Sequence, residues 1–154
     1  MLRRGKILTL WATIEQAIDT ANSIAWELSG RTVSKVVPQS FRWKIQLFKA
    51  LHKKVAPFYG LADIANAIIL KLEAQKPLRD LMAHGLLHPN QPKWTFTLTT
   101  FEKDGSLGSV TTCIATKRFQ LCEDELLAIC GDILKYTAAL KIQLAKNPLD
   151  DLCR

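Results

Sequence analysis

Four stretches of this chain repeat apolar residues every third or fourth position, and that period commits most of the backbone to helix. In the first, Ile7, Trp11, Ile14, Ile18, Ala21, Ala25 and Leu28 fall on one face, with Glu15, Asp19 and Asn22 on another. The spacing predicts a helix over about 6–29, ending at Ser29-Gly30. In the second, Ser40 precedes a stripe of Phe41, Ile45, Phe48, Leu51 and Val55, which predicts a helix over about 40–56, stopped by Pro57. The third follows Gly60 with Asp63 in its first turn and Ile64, Ile68 and Leu72 facing inward, over about 61–76. Pro77 lacks a backbone donor and clashes with the preceding turn. A kink or restart is expected there, leaving Leu78 to His84 as a short terminal helix closed by Gly85. In the last, Glu123, Asp124 and Glu125 favour a helix start. Leu126, Ile129, Ile133, Thr137, Leu140 and Leu144 then carry the inner face, so a helix over about 122–146 is expected.

One segment breaks the helical period. Trp94 to Phe101 alternates β-branched and aromatic residues, Ser109 to Thr116 does so again, and Lys103-Asp104-Gly105 lies between them. A β-hairpin over about 93–116 is expected, and a hairpin alone is too small to be stable, so it must pack on the helices. The reading is a mainly α bundle of four to five helices with a hairpin inserted before the last. At 154 residues a single domain, 1–154, is the default, able to bury roughly two-thirds of its unfolded surface.

The N-terminal apolar stretch is short and followed by Glu15 and Asp19, which reads as helix and not as a signal peptide. No run reaches the roughly 18 apolar residues that a membrane span needs, so a soluble, cytoplasmic protein without membrane contact is expected. Cys113, Cys122, Cys130 and Cys153 form no Cys-x-x-Cys pair and have no paired histidines nearby. They read as reduced, partly buried thiols, and neither a metal site nor a cofactor is expected. Trp11, Trp26 and Trp43 fall at helical positions and read as core, with Trp94 the indole expected at the surface.

The net charge of +7 is concentrated: between Glu27 and Asp63 there is no acidic residue, while Arg31, Lys35, Arg42, Lys44, Lys49, Lys53 and Lys54 all fall there. On the second helix Arg42, Gln46, Lys49 and Lys53 share one side, making a surface stripe suited to a polyanion such as RNA, DNA or an acidic partner. A solvated, lysine-rich face that only aids solubility accounts equally for the stripe.

The most chemically pointed segment is Arg79-Asp80-Leu81-Met82-Ala83-His84, which ends a core helix and is followed by Gly85. With the hairpin and long last helix after it, this arrangement resembles the HEPN superfamily of small α-helical domains. Its nuclease members carry an arginine, four to six intervening residues and a histidine, often with a polar residue after the arginine. Arg79, Asp80 and His84 match those three positions, although the family more often has asparagine or histidine where Asp80 stands. The resemblance implies a HEPN-like bundle and a metal-independent endoribonuclease, of toxin or defence type, acting as a homodimer on RNA. A cognate antitoxin or other protein partner belongs to the same expectation.

The spacing itself is compatible with a cleft shared by two subunits. Asp80 and His84, four apart, share a helix face while Arg79 points well away from His84. Two-fold pairing could bring Arg79 of one subunit toward His84 of the other. In that role His84 would move protons, as imidazole does near neutral pH, Arg79 would hold phosphate through its planar fork, and Asp80 would fix the imidazole tautomer. Arg42, Lys49 and Lys53 would hold the RNA. The alternatives are that Arg79 and His84 merely meet the negative end of their helix, or that the chain is a non-catalytic dimeric adaptor contacting nucleic acid or an acidic protein.

Overall fold

The computed structural model describes residues 2–36, 38–88, 93–101 and 103–146. Among them the protein is mainly helical, with α1 (Leu2–Leu28), α2 (Phe41–Lys54), α3 (Ala56–Tyr59), α4 (Ala62–His84) and α5 (Thr116–Lys146). Strands β1 (Leu86–His88), β2 (Trp94–Phe101) and β3 (Leu107–Ile114) lie between α4 and α5 and form one antiparallel sheet in the order β1-β2-β3. The residues group into two compact units: one of 1–11 and 74–127, the other of 12–73 and 128–154. Cys153 lies outside the described residues.

In the first unit, the hairpin register aligns Trp94 with Ile114 and Phe101 with Leu107, while β1 adds to the other edge of β2 through Leu87 opposite Phe96. Phe96 is fully buried and, like Trp94, packs its ring on Phe119 of α5, so the sheet is anchored to the start of that helix. At the turn, Gly105 takes φ 83°, and Asp104 accepts from the backbone and hydroxyl of Ser106. The expected hairpin is present, enlarged by a third strand. α5 begins at Thr116, seven residues before the acidic cluster expected to start it, and Glu123 and Glu125 lie inside the helix, engaged by Lys6 and Gln75.

In the second unit, the apolar stripe of α1 is buried at Ile14, Ile18, Ala21 and Ala25. The helix ends in a Schellman arrangement: Arg31 N–H donates to Trp26 O and Gly30 N–H to Glu27 O, with Gly30 at φ 59°. On α4 Ile68 and Leu72 are buried as expected, together with Ala65 and Ile69, while Ile64 is 40% exposed. α4 also runs as one helix through Pro77, where a kink or restart was expected. Pro77 and Glu73 are both exposed, so the loss of the helical donor to the Glu73 carbonyl falls on a part of α4 that water can reach.

The polar centre of this unit is His52 on α2, 4% exposed. Its Nδ1 bonds to Phe48 O at 2.7 Å and its Nε2 to the Tyr136 hydroxyl at 3.0 Å, with Phe48 and Phe58 edge-on to the ring. Desolvation lowers the His52 pKa against the opposing effect of the Phe48 carbonyl. The neutral tautomer donates to Phe48 O and accepts from Tyr136. Because the unfolded chain protonates this histidine at its ordinary pKa and the folded chain resists it, the stabilising contribution is present above about pH 6.5 and declines below. Denaturant unfolding at pH 7.5 and 5.5 is expected to show that loss. Tyr136→Phe, which strands the Nε2 acceptor, lowers stability at pH 7.5 by about 1–2 kcal/mol.

Candidate functional site at the end of α4

α4 terminates against two other parts of the first unit. The Arg4 guanidinium of α1 donates through Nε to Met82 O at 2.6 Å and through Nη2 to Ala83 O at 3.4 Å, satisfying carbonyls that a helix end leaves without partners. Gly85 N–H closes on Leu81 O at 2.8 Å, and Gly85 itself is buried. A Cβ there would lie 2.5 Å from Leu81 O and 3.2 Å from Phe96 Cδ1. Glycine is therefore required by close approach and not by a positive φ. The chain can leave the helix directly into β1 only because nothing projects from residue 85.

On this end His84 is exposed, and its imidazole has no hydrogen-bond or ion-pair partner among the described residues. Arg79 is held more tightly. Its side chain is 26% exposed, its Nη1 lies 3.1 Å from Asp80 Oδ1, and its guanidinium sits 5.9 Å from the centroid of the Trp11 ring. The second Asp80 oxygen accepts from Lys76 one turn earlier. Both oxygens of Asp80 thus face cations, and a hydrogen bond from the His84 imidazole to Asp80, as the tautomer role would require, is not formed. Arg79 and His84, five apart on one helix, diverge by about 140°. Within one chain they are not brought together.

His88, four residues after His84, lies on β1, where its Nε2 bonds to Thr97 Oγ1 at 2.8 Å; Thr97 in turn bonds to Thr111 Oγ1 at 3.1 Å. Among the described residues no group of three metal-ligating side chains occurs. Cys122 is buried, and desolvation pushes its thiol up to about 11, which leaves it protonated and inert.

The basic stripe belongs to the second unit, and the structure sorts its charges. Lys44, 8% exposed, ion-pairs with Glu15 at 2.9 Å and Asp19 at 2.6 Å, while its carbonyl accepts from Asn22 Nδ2. Burial alone would lower the Lys44 pKa, but the hydrogen bonds and charges of Asp19 and Glu15 outweigh it and raise it. Lys44 is therefore part of the core packing of α1 on α2. Lys49 pairs with Glu73 at 3.0 Å, both side chains being more than two-fifths exposed, so this contact is weak and open to competition. Arg42 and Lys53 are exposed and have no carboxylate partner among the described residues.

Two contributors were not found from sequence. Arg4 lies 78 residues from the carbonyl it caps, a separation that carries no local signal. Trp43 is 58% exposed, while Trp94 is half-buried against Phe119, reversing the expected order of exposure for these two indoles. Trp43 follows Arg42 directly and lies about 140° round α2 from the centre of the Phe41, Ile45, Phe48, Leu51 and Val55 stripe, an offset that signals its exposure.

Gly85→Ala is expected to lower stability by about 1–3 kcal/mol, because the new methyl must displace Leu81 backbone or Phe96, and thermal unfolding measures it. Gly105→Ala, on the open hairpin turn, serves as the contrast: its cost comes from backbone conformation alone. No protein-family model, curated protein or solved structure matches this chain.

Proposed function

We propose that this protein is a HEPN-type, metal-independent endoribonuclease, of toxin or defence type, that acts as a homodimer with a composite Arg79/His84 site. The observation that carries the reading is the exposed, unpartnered His84 imidazole on the capped end of α4, with the Arg79 guanidinium held near the Trp11 ring five residues before it. An imidazole held on a rigid element and open to solvent can exchange protons with a bound substrate.

Two-fold pairing of α4 ends would set Arg79 of one subunit near His84 of the partner subunit, which the divergence within one chain makes necessary. In the proposed step a ribose 2′-hydroxyl loses its proton to one imidazole and attacks the adjacent phosphorus. The bond from phosphorus to the 5′-oxygen breaks, and a second protonated group returns a proton to that oxygen. The products are a 2′,3′-cyclic phosphate and a 5′-hydroxyl. Arg79 stabilises the charge that builds on the phosphoryl oxygens. Arg42, Lys49 and Lys53 would hold RNA by charge.

The Arg79–Asp80 ion pair favours a second reading, a non-catalytic dimeric adaptor for nucleic acid or an acidic protein, because a carboxylate that already occupies the guanidinium also repels phosphate.

Purified protein is expected to cut a mixed RNA pool in EDTA, leaving 2′,3′-cyclic phosphate ends. His84→Ala slows cleavage by about 10²–10⁴-fold, and Arg79→Ala by about 10²-fold without rescue by Arg79→Lys. Circular dichroism establishes that each variant is folded. Absence of cleavage, or cleavage unchanged in both variants, would instead support the adaptor reading.

A further inference from the structure

In the second unit an open groove of about 650 Å³ runs between residues 33–36 and 38–39 on one side and α2 on the other. Ser34, Val36, Pro38 and Gln39 form one wall; Trp43 and Ala50 lie on the floor, with Gln46 at its edge. Trp43 is 58% and Val36 67% exposed, so a large flat indole and an apolar wall both stand in water. Large exposed apolar surface rimmed by polar groups marks a binding site more often than an idle surface.

The charges around this groove have a definite arrangement. At about 100° per residue, Trp43, Leu47, Ala50 and Lys54 lie within about 60° of arc on α2, and Arg42, Gln46, Lys49 and Lys53 occupy a parallel arc about 100° round the helix. The floor is thus bordered along its length by a cationic stripe, and Lys54 closes its end. Arg42, Lys53, Lys54 and Lys35, which stands between two wall residues, are exposed with no carboxylate partner among the described residues.

An aromatic floor beside an unneutralised cationic track is the chemistry that binds single-stranded nucleic acid: phosphates follow the cations and unstacked bases lie on the ring. The amides of Gln39 and Gln46 each offer a donor and an acceptor, which suits base edges. An acidic peptide would satisfy the cations but would set its side chains against those amides. We infer that Trp43 is a base-stacking platform for single-stranded RNA, with Arg42, Lys53 and Lys54 holding the flanking phosphates. The choice of RNA rests on the ribonuclease reading, but the groove does not depend on Arg79 or His84, so either claim can fail alone.

The test is equilibrium binding of the intact protein to an unstructured 2′-O-methyl RNA dodecamer, which lacks the attacking hydroxyl and cannot be cut, and to the same oligomer with abasic positions throughout. The base-bearing strand is expected to bind about tenfold more tightly. Trp43→Ala abolishes that difference and Trp43→Phe keeps most of it. Arg42→Ala and Lys53→Ala weaken both oligomers alike, each reducing the salt slope by about 0.7. Equal affinity of wild type and Trp43→Ala for the base-bearing strand would overturn the inference. So would failure to bind RNA together with Trp43-dependent binding of a polyglutamate peptide, which would assign the groove to an acidic protein. Trp43-dependent binding in a protein that cuts no RNA would uphold the groove and reject the ribonuclease.

Discussion

The last turn of α4 ends against Arg4, which takes up the Met82 and Ala83 carbonyls, and against Phe96, which leaves room at residue 85 for glycine alone. These two constraints are mutually dependent. Without the Arg4 contacts the terminal carbonyls would have to find water, and the turn could unwind; with any side chain at 85, the helix could not meet β1 where it does. A histidine on a fraying turn sweeps many positions, whereas on this end its Cα is fixed to the scaffold of α1, α4 and the sheet. Pre-organisation of that kind is what a proton-transferring group requires, since small misplacements cost large factors in rate. The chemical argument for His84 is therefore first an argument about how a helix stops.

A second theme is how charge is divided. The acid-free interval from Arg31 to Lys54 reads as one basic block, but its members do different things. Lys44 is drawn inward by Glu15 and Asp19, Arg31 pairs with Glu27 at 3.2 Å, and Lys49 shares a carboxylate at the surface. What remains unneutralised is a narrower track on α2 and the adjoining segment. At the other unit, Asp80 takes contacts from Lys76 and Arg79, so the arginine of the proposed site is partly neutralised before any substrate arrives. Phosphate binding there must compete with an ion pair whose members are about a quarter to a third exposed.

Much of the architecture was legible because amphipathic period is a local signal. The buried faces of α1 and α5, the Schellman end at Gly30 and the turn at Gly105 follow from residue order alone. What escaped notice depends on partners distant in sequence. β1 is three residues long and becomes a strand only by pairing with β2. The early start of α5 is set by Phe119 packing under Trp94 and Phe96, which outweighs the local preference of acidic residues for a first turn. Pro77 did not stop α4 because its ring sits on the exposed side. At the candidate site, the motif and its glycine were visible, whereas the Arg4 cap and the diversion of Asp80 away from His84 are tertiary facts.

The proposed site rests most heavily on Arg79 and His84 acting across two copies, and mixing inactive variants tests that claim most directly. If the site is composite, a dimer of one Arg79→Ala chain and one His84→Ala chain holds one site lacking both groups and one site intact. Equal mixing with free exchange makes half the dimers mixed, so ribonuclease activity recovers to about a quarter of wild type. Activity that stays at the level of the separate variants, with exchange demonstrated by labelled chains, would contradict a site shared between subunits.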